Sequence, residues 1–230
     1  MKIKYALTSC DSNPTYYEFW PLVSKVWKEY LNIEPILIFV GEEIPKELNK
    51  KYGEIIKFKP IKDIPTSTQS QFIRLWYAKN FDDTIITTDI DMFPLSKWYF
   101  KDQIKNVEEN KFLMLAVKPD WYNICYNVGN GKIFEEVLEL KETFEETLRP
   151  YYQSIKNEDV WFLDELYLTE KVKKNNENVI RIFRNTLNRI DRGFWNYNPS
   201  LVKLGHYYDC HSLRPYKTHK NQIDQLLNLL

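Results

Sequence analysis

Short apolar runs alternate with amphipathic segments along the first 95 residues. Runs of the length and composition of buried strands occupy residues 3–8, 35–41, 54–58 and 84–88. Apolar residues at helical spacing, or short helix-forming segments, occupy residues 16–30, 45–52 and 68–81. Strands that alternate with helices indicate a mostly parallel sheet joined by right-handed crossovers. The first part of the chain therefore predicts an α/β fold.

The pattern is looser after Pro94, and it predicts a mixed second half. Strands are expected at residues 112–117, 124–128 and 179–183, and helices at 133–148, 161–173 and 221–230. Residues 185–219 are aromatic and irregular, and they predict no regular element. The chain contains no repeat, low-complexity segment or linker, so its 230 residues are expected to form a single domain.

Composition narrows the range of partners. The 32 basic residues balance the 32 acidic ones, and no basic run is present, which argues against nucleic acid and anionic membranes as partners. The apolar segment at the N-terminus is too short for a signal peptide, and no run is long enough for a transmembrane helix. Cys10, Cys125 and Cys210 are few and scattered, as is typical of reduced thiols. We expect a soluble, cytoplasmic protein.

The strongest chemical signal is the pair of acids Asp89 and Asp91, which follows the apolar run at 84–88. Side chains two residues apart on an extended chain point the same way, so the two carboxylates are expected to share one divalent cation. Pro94 ends the strand soon afterwards, and ligands of open α/β sheets bind at such carboxyl ends. An Asp-x-Asp pair on its own is also typical of a solvated acidic turn.

Several other segments accompany the Asp-x-Asp pair. They are Arg74 on the helix before it, Tyr126-Asn127-Val128-Gly129, Asp164-Glu165, Trp195-Asn196, and His211 to Tyr216. In this order they resemble the GT-A glycosyltransferases, and in particular the retaining, glycogenin- and galactosyltransferase-like members, whose corresponding motifs are Asn-Ala-Gly, Asp-Gln, a Trp-Asn pair and a terminal His…Lys-Pro-Trp. The sequence departs from this pattern at Glu165, which replaces Gln, and in the shorter spacing after His211.

The resemblance implies a GT-A fold, with a mixed, mostly parallel central sheet flanked by helices. Within the domain 1–230 it implies a nucleotide-binding half at 1–95, a donor-sugar and acceptor half at 96–220, and a C-terminal helix at 221–230. It also implies an enzyme, a hexosyltransferase that moves a sugar from a nucleotide-sugar donor to a hydroxyl acceptor. The expected donor is a UDP-sugar, the expected outcome is retention, and the expected cofactor is Mn²⁺ or Mg²⁺.

The resemblance also assigns roles to individual residues. The metal ligands would be Asp89, Asp91 and His211, with His206 as the alternative to His211. The donor would contact Thr8, Ser9 and Asp11 through its base and ribose, Arg214 (or Lys217) through its phosphates, and Asn127, Gly129 and Asp164 through its sugar. Arg74 would pair either with a phosphate or with Asp89, and the second pairing would fix the loop. Asp164 would position the sugar first and act as nucleophile only second, and Asp89 and Asp91 would be catalytic through the metal.

Five aromatic residues are candidate contacts for a sugar, and other functions are alternatives to sugar transfer. Trp121, Tyr122, Trp195 and Tyr197 are assigned either to sugar stacking or to core packing, and Trp161 is assigned to the core.

The main alternative to a glycosyltransferase is a catalytically silent carbohydrate-binding or scaffolding domain. A sugar nucleotidyltransferase would need a Gly-rich loop that residues 7–14 lack, and a haloacid dehalogenase-type phosphatase would carry Asp-x-Asp on its first strand. The sequence does not identify the sugar, the acceptor or the oligomeric state.

Overall fold

The computed structural model describes residues 1–117, 122–155 and 157–230. Strands in these ranges are β1 Tyr5–Cys10, β2 Glu34–Val40, β3 Glu54–Phe58, β4 Ile85–Thr87, β5 Met92–Pro94, β6 Phe112–Val117, β7 Asn127–Gly129, β8 Val179–Phe183, β9 Arg189–Asp191 and β10 Asp209–His211. Helices are α1 Pro14–Tyr17, α2 Trp20–Lys25, α3 Thr66–Tyr77, α4 Gly131–Leu138, α5 Phe144–Ser154, α6 Leu163–Lys174, α7 Pro199–Lys203 and α8 Tyr216–Leu227. No helix in the described ranges is long and apolar enough to cross a membrane.

The described strands form a central seven-stranded sheet and a small three-stranded one. The order in the large sheet is β3-β2-β1-β4-β7-β6-β8. β1 to β4 pair in parallel, β7 is antiparallel to both of its neighbours, and β8 runs parallel to β6. This is the mixed, mostly parallel sheet that the sequence predicted. Parallel pairing places the ends of β1 and β4 at one edge, where a ligand can approach.

On one side of the large sheet, the core is built by apolar strand residues and by one face of α3, the helix that carries Arg74. Residues 37–40 of β2 are fully buried, as expected of a strand covered on both faces. On α3, Phe72 and Leu75 are fully buried, and Phe72 packs edge-on against Tyr167 of α6 at 4.9 Å between ring centroids. These contacts fix α3 against the sheet and against α6.

Several predicted elements differ from the observed ones for local reasons. The predicted helix at 133–148 is two helices, because Glu139 adopts a left-handed conformation (φ 53°) after α4 and Thr143 caps α5 with a capping box. Residues 45–52 form turns instead of a helix. The predicted helix at 16–30 divides into short pieces around Phe19, and the last helix begins at Tyr216 instead of residue 221.

The acid pair is also positioned differently from the expectation. β4 ends at Thr87, and the chain turns at residues 89–91, where Met92 N donates to Asp89 O at 3.2 Å. The argument from alternation along an extended strand was therefore wrong for Asp89 and Asp91. Their placement depends on the turn.

The region predicted to be irregular contributes the small sheet, in which β10 pairs antiparallel with β5 and parallel with β9. A buried ion pair between Arg184 and Asp209, 2.6 Å apart, anchors the start of β10. Ser212 N, just beyond β10, donates to Asp91 O at 2.9 Å. The small sheet therefore brings the C-terminal segment against the Asp-x-Asp turn.

Candidate functional site

A cavity of about 440 Å³ opens at the carboxyl ends of β1 and β4. Its charged lining comes from six segments: Asp11 after β1, Arg74 on α3, Asp89 and Asp91 after β4, Asp164 and Glu165 on α6, Arg192 after β9, and His211 and Arg214 at and after β10. Ser9, near the end of β1, lines the cavity next to Asp11. The position of the cavity at the edge of the parallel strands is the usual place for ligands in this architecture.

Eight of the residues singled out from the sequence line this cavity: Ser9, Asp11, Arg74, Asp89, Asp91, Asp164, His211 and Arg214. Thr8, Asn127 and Gly129 lie buried in the core instead. The Asn127 side chain donates to Ile124 O at 2.6 Å, and a Cβ on Gly129 would lie 3.3 Å from Ile133. In this geometry Asn127 fixes the chain ahead of β7 and Gly129 lets α4 pack closely, so neither reaches a ligand in the cavity.

Arg74 joins the acid turn to α6. Its Nη1 donates to Thr88 O at 3.0 Å and to Asp89 Oδ1, and its Nη2 lies 3.3 Å from Asp164 Oδ2. The side chains of Arg74 and Asp164 are each 5% exposed. Burial raises the pKa of Asp164 to about 7 even though the positive charge of Arg74 opposes this. Asp164 is therefore a buried carboxyl that can be either neutral or charged near neutral pH.

Three cationic or titratable groups converge on one oxygen of Asp91. Its Oδ2 lies 3.0 Å from Arg192 Nη1, 3.4 Å from Arg214 Nε and 3.5 Å from His211 Nε2. Burial alone would raise the pKa of Asp91, but His211, Arg214 and Arg192 lower it. The side chain is 5% exposed, so this carboxylate is charged, paired and almost wholly shielded from water.

His211 is held between two carboxylates. Its Nδ1 lies 3.4 Å from Asp191 Oδ2, and its Nε2 faces Asp91. Burial lowers the pKa of His211, but the hydrogen bonds that its ring donates to Asp191 and Asp91 raise it above the usual histidine value. A carboxylate on one ring nitrogen orients the imidazole, which is the usual second partner of a metal-bound histidine.

The donor types fit a divalent cation, but the ligands are not assembled as a finished site. Two oxygens and an imidazole nitrogen suit Mn²⁺ or Mg²⁺, and the 3.5 Å between Asp91 Oδ2 and His211 Nε2 suits two ligands of one ion. Asp89, the third predicted ligand, is held by Arg74. Across the described residues, no group of three or more His, Cys, Asp or Glu side chains is arranged to hold a metal ion.

The alternatives that the sequence left open are separated by position. His206 is exposed and pairs with Asn188 at 3.2 Å, whereas His211 lines the cavity. Lys217 is 80% exposed and pairs with Glu18 at 2.6 Å, whereas the Arg214 guanidinium lies in the cavity over the ring of Tyr16. The geometry therefore favours His211 and Arg214 over their rivals.

Aromatic side chains border the cavity on the side of α6. Trp161 is 56% exposed and lines the cavity next to Phe162, so its assignment to the core was wrong. It lies in the short helical turn Asn157–Phe162, before α6 turns its apolar residues inward. Tyr122 lies under the guanidinium of Arg181, and Trp195 packs edge-on against Tyr197. Trp121 lies outside the described residues.

Arg192 is a charged cavity residue that the sequence analysis did not predict. It follows β9, a strand of three residues with a charge at each end, in the region predicted to be irregular. The Asp-Arg-Gly turn at residues 191–193 is the only local signal for it, and such turns are common on surfaces.

No protein-family model and no curated protein sequence matches the chain. Solved structures do match it. An active-site mutant of LgtC superposes with a TM-score of 0.55 at 11% identity over 98% of this chain and 94% of that one. The galactosyltransferase LgtC in complex with donor and acceptor sugar analogues gives 0.51 at 11% over 98% and 96%. The glycosyltransferase GlyE of Streptococcus pneumoniae gives 0.51 at 13% over 99% of this chain and 63% of that one.

The likeness covers nearly the whole of this chain in each case, and it extends to the bifunctional glycosyltransferase WbbM, of which this chain covers 50%. The protein therefore has the GT-A fold of these glycosyltransferases, as the resemblance had implied. At 11–13% identity the likeness defines the fold, and the chemistry has to be argued from the cavity.

Proposed function

We propose that the protein is a glycosyltransferase that transfers a sugar from a nucleotide-sugar donor, a UDP-sugar, to a hydroxyl acceptor with the help of Mn²⁺ or Mg²⁺. The observation that carries the proposal is the convergence of Asp89, Asp91, His211, Arg192 and Arg214 in one cavity at the carboxyl ends of β1 and β4. Carboxylate and imidazole groups are ligands for a divalent cation, and guanidinium groups bind the diphosphate next to it. The shared fold supports the same class of chemistry.

The two ends of the cavity suit the two ends of the donor. In this proposal Ser9, near the end of β1, and Asp11, just beyond it, would bind the base and ribose. Asp11 also accepts hydrogen bonds from Asn13 N (3.0 Å) and Thr66 Oγ1 (2.9 Å) that fix the loop. In this proposal residues 1–95 bind the nucleotide, and residues 96–220 supply the sugar and acceptor side.

Arg192 and Arg214 would neutralise the charge that develops on the departing diphosphate. Their guanidinium groups already face an anion, the Asp91 carboxylate, in a shielded part of the cavity. Donors that are oriented before reaction stabilise developing charge without reorganisation, which is the largest contribution in many enzymes. A bound divalent cation, held by Asp89, Asp91 and His211, would add Lewis-acid stabilisation of the same leaving group.

Asp164 would contact the donor sugar. A buried carboxyl with a pKa of about 7 can both donate and accept a hydrogen bond near neutral pH, so it can position a sugar hydroxyl in either state. For a reaction with retention, the acceptor hydroxyl would attack the face that the diphosphate leaves, with a phosphate oxygen taking its proton. Asp164 is a positioning group first in this scheme and a nucleophile only second.

Turnover of nucleotide sugars, with and without Mn²⁺, tests the proposal in the wild type and in Asp91→Asn. We expect turnover in the wild type that requires the cation and that falls about 100-fold or more in the variant, because both the metal site and the arginine cluster lose their shared carboxylate. Asp83→Asn is the matched control, since Asp83 is an acid close in sequence that pairs with Lys4 outside the cavity. Full activity in Asp91→Asn would refute the proposal.

A catalytically silent carbohydrate-binding domain is the second candidate. It is favoured by the pairing of Asp89 with Arg74 and of Asp91 with Arg192, which leaves no finished metal site among the described residues. A thermal-shift screen of nucleotide sugars with Mn²⁺ and of free glycans separates the two. A ligand at about 100 times its Kd stabilises by about 2.7 kcal/mol. Stabilisation by glycans alone, without turnover of any nucleotide sugar, would favour this second candidate.

A further inference from the structure

Basic side chains of the protein already contact the Asp91 carboxylate. The cation closest to its Oδ2 is Arg192, at 3.0 Å, and the Arg192 side chain is 31% exposed while that of Asp91 is 5% exposed. A divalent cation that binds Asp91 through this oxygen would have to share it with a guanidinium, and two cations on one oxygen repel each other. A divalent cation and Arg192 therefore compete for this oxygen of Asp91.

The three groups around Asp91 differ in how firmly they are held. His211 is fixed on its other nitrogen by Asp191, at 3.4 Å, and Arg214 lies over the ring of Tyr16, 4.9 Å from its centroid. Within the described ranges, the contact that holds the Arg192 guanidinium is its ion pair with Asp91. Arg192 is thus the member of the cluster that is freed most easily.

The backbone at Arg192 keeps a displaced side chain in the cavity. Asp191 accepts hydrogen bonds from Gly193 N to its side chain at 3.0 Å and from Phe194 N to its carbonyl at 2.9 Å, which holds the turn that carries Arg192. β9 beneath it is paired with β10. The guanidinium can therefore change partner while its Cα stays at the cavity wall.

We propose that Arg192 exchanges partners: it neutralises Asp91 in the empty protein, and a divalent cation on Asp91 releases it to bind the diphosphate of the nucleotide. The inference rests on the proposed function and adds to it an exchange of partners by Arg192 and an order of binding. A guanidinium presents paired N–H donors that match phosphate oxygens. Because the cation frees a group that the nucleotide uses, each ligand strengthens binding of the other.

The exchange predicts effects of opposite sign in one variant. In Arg192→Gln, Mn²⁺ alone should bind several-fold more tightly than in the wild type, because its competitor for Asp91 is gone. UDP in the presence of saturating Mn²⁺ should bind about ten-fold or more weakly, because a charge-assisted phosphate contact is lost. A residue that only supported the fold would weaken both.

The experiment measures Mn²⁺ binding by the electron paramagnetic resonance signal of the free ion, and UDP binding by calorimetry at saturating Mn²⁺. Arg149→Gln is the matched control: Arg149 pairs with Glu145 within α5 and does not line the cavity, so both affinities should equal those of the wild type. Arg192→Lys keeps the charge without the fork, so its Mn²⁺ affinity should stay near that of the wild type while its UDP affinity falls several-fold. This variant also serves if Arg192→Gln does not fold.

The outcomes separate this inference from the proposed function. Tighter Mn²⁺ binding together with weaker UDP binding supports the exchange. Unchanged or weaker Mn²⁺ binding in Arg192→Gln overturns it, and so does unchanged UDP binding, while the wild type still binds both ligands. If the wild type binds no UDP at saturating Mn²⁺, the proposed function itself fails and the exchange fails with it.

Discussion

Replacement of Arg74 by Met should destabilise the protein more strongly than any surface charge deletion. The guanidinium is 5% exposed and links Thr88 O, Asp89 and Asp164, so its removal leaves a buried carboxyl without its partner. Breaking a buried ion pair by removing one partner costs about 3–5 kcal/mol. We expect a loss in that range at about pH 8, seen as a lower urea midpoint in tryptophan fluorescence.

The size of this loss should depend on pH in a direction set by Asp164. Its pKa of about 7 lies above the value near 3.9 of an unfolded chain, so the native state binds this proton more tightly between these two values. This contribution to stability is present at acid pH and is lost as the pH rises through about 7. Without Arg74 the pKa rises further, so the penalty for Arg74→Met should shrink at about pH 5.5, where Asp164 is neutral in both proteins.

Two further variants make the reasoning refutable. Arg149→Met removes an exposed pair with Glu145 and should cost no more than about 0.5 kcal/mol at either pH. The double variant Arg74→Met/Asp164→Leu replaces the pair by apolar groups and should be more stable than Arg74→Met alone. A cost for Arg74→Met below about 1 kcal/mol, or one that does not change between the two pH values, would contradict the account of the buried carboxyl.

Two other predictions concern the cavity edge and the packing behind it. Trp161→Ala should change the free energy of unfolding by less than about 0.5 kcal/mol, since the ring is 56% exposed. In a transfer assay it should raise the acceptor KM about ten-fold, because a ring on which a sugar stacks is lost. An unchanged KM would show that the acceptor does not stack on Trp161. Gly131→Ala should lower stability by about 1–3 kcal/mol in urea denaturation, because the new Cβ would lie 2.5 and 2.6 Å from two backbone carbonyl oxygens. Gly193→Ala, whose nearest neighbour lies at 3.4 Å, is the control and should be nearly neutral; equal losses in both would contradict the steric argument.

Strands bounded by polar turns were the most predictable part of the fold. The predicted strands at 54–58, 112–117 and 179–183 coincide with β3, β6 and β8, because short runs rich in apolar residues and bounded by polar turns are typical of strands. β9 and β10 were not predicted. Each has only three residues and includes charged ones, so both strands depend on pairing: β10 pairs with β9 and with β5. A local sequence pattern does not predict such pairing between distant segments.

The candidate site was predictable in its acids and, apart from Arg192, in its basic residues as well. Asp89 and Asp91 stood out by their spacing, yet a turn, and not strand alternation, places both in the cavity. Arg192 carried no distinguishing pattern, because its role depends on a contact with a residue 101 positions earlier in the chain. Asn127 and Gly129 were predicted to contact the sugar, but they lie in the core and not in the cavity lining. The reason is that the same residue types also suit a tightly packed strand.

The small sheet makes the cavity one of the last parts of the molecule to be completed during synthesis. β5 leaves the ribosome long before β10, and β10 is the strand that delivers His211 and is followed by Arg214. The large sheet can form from residues 1–183 while the acid turn still lacks these partners, as expected when chains fold from the N-terminus. A chain that is cut before residue 209 would keep most of its core and would lack His211 and Arg214, two of the basic groups in the cavity.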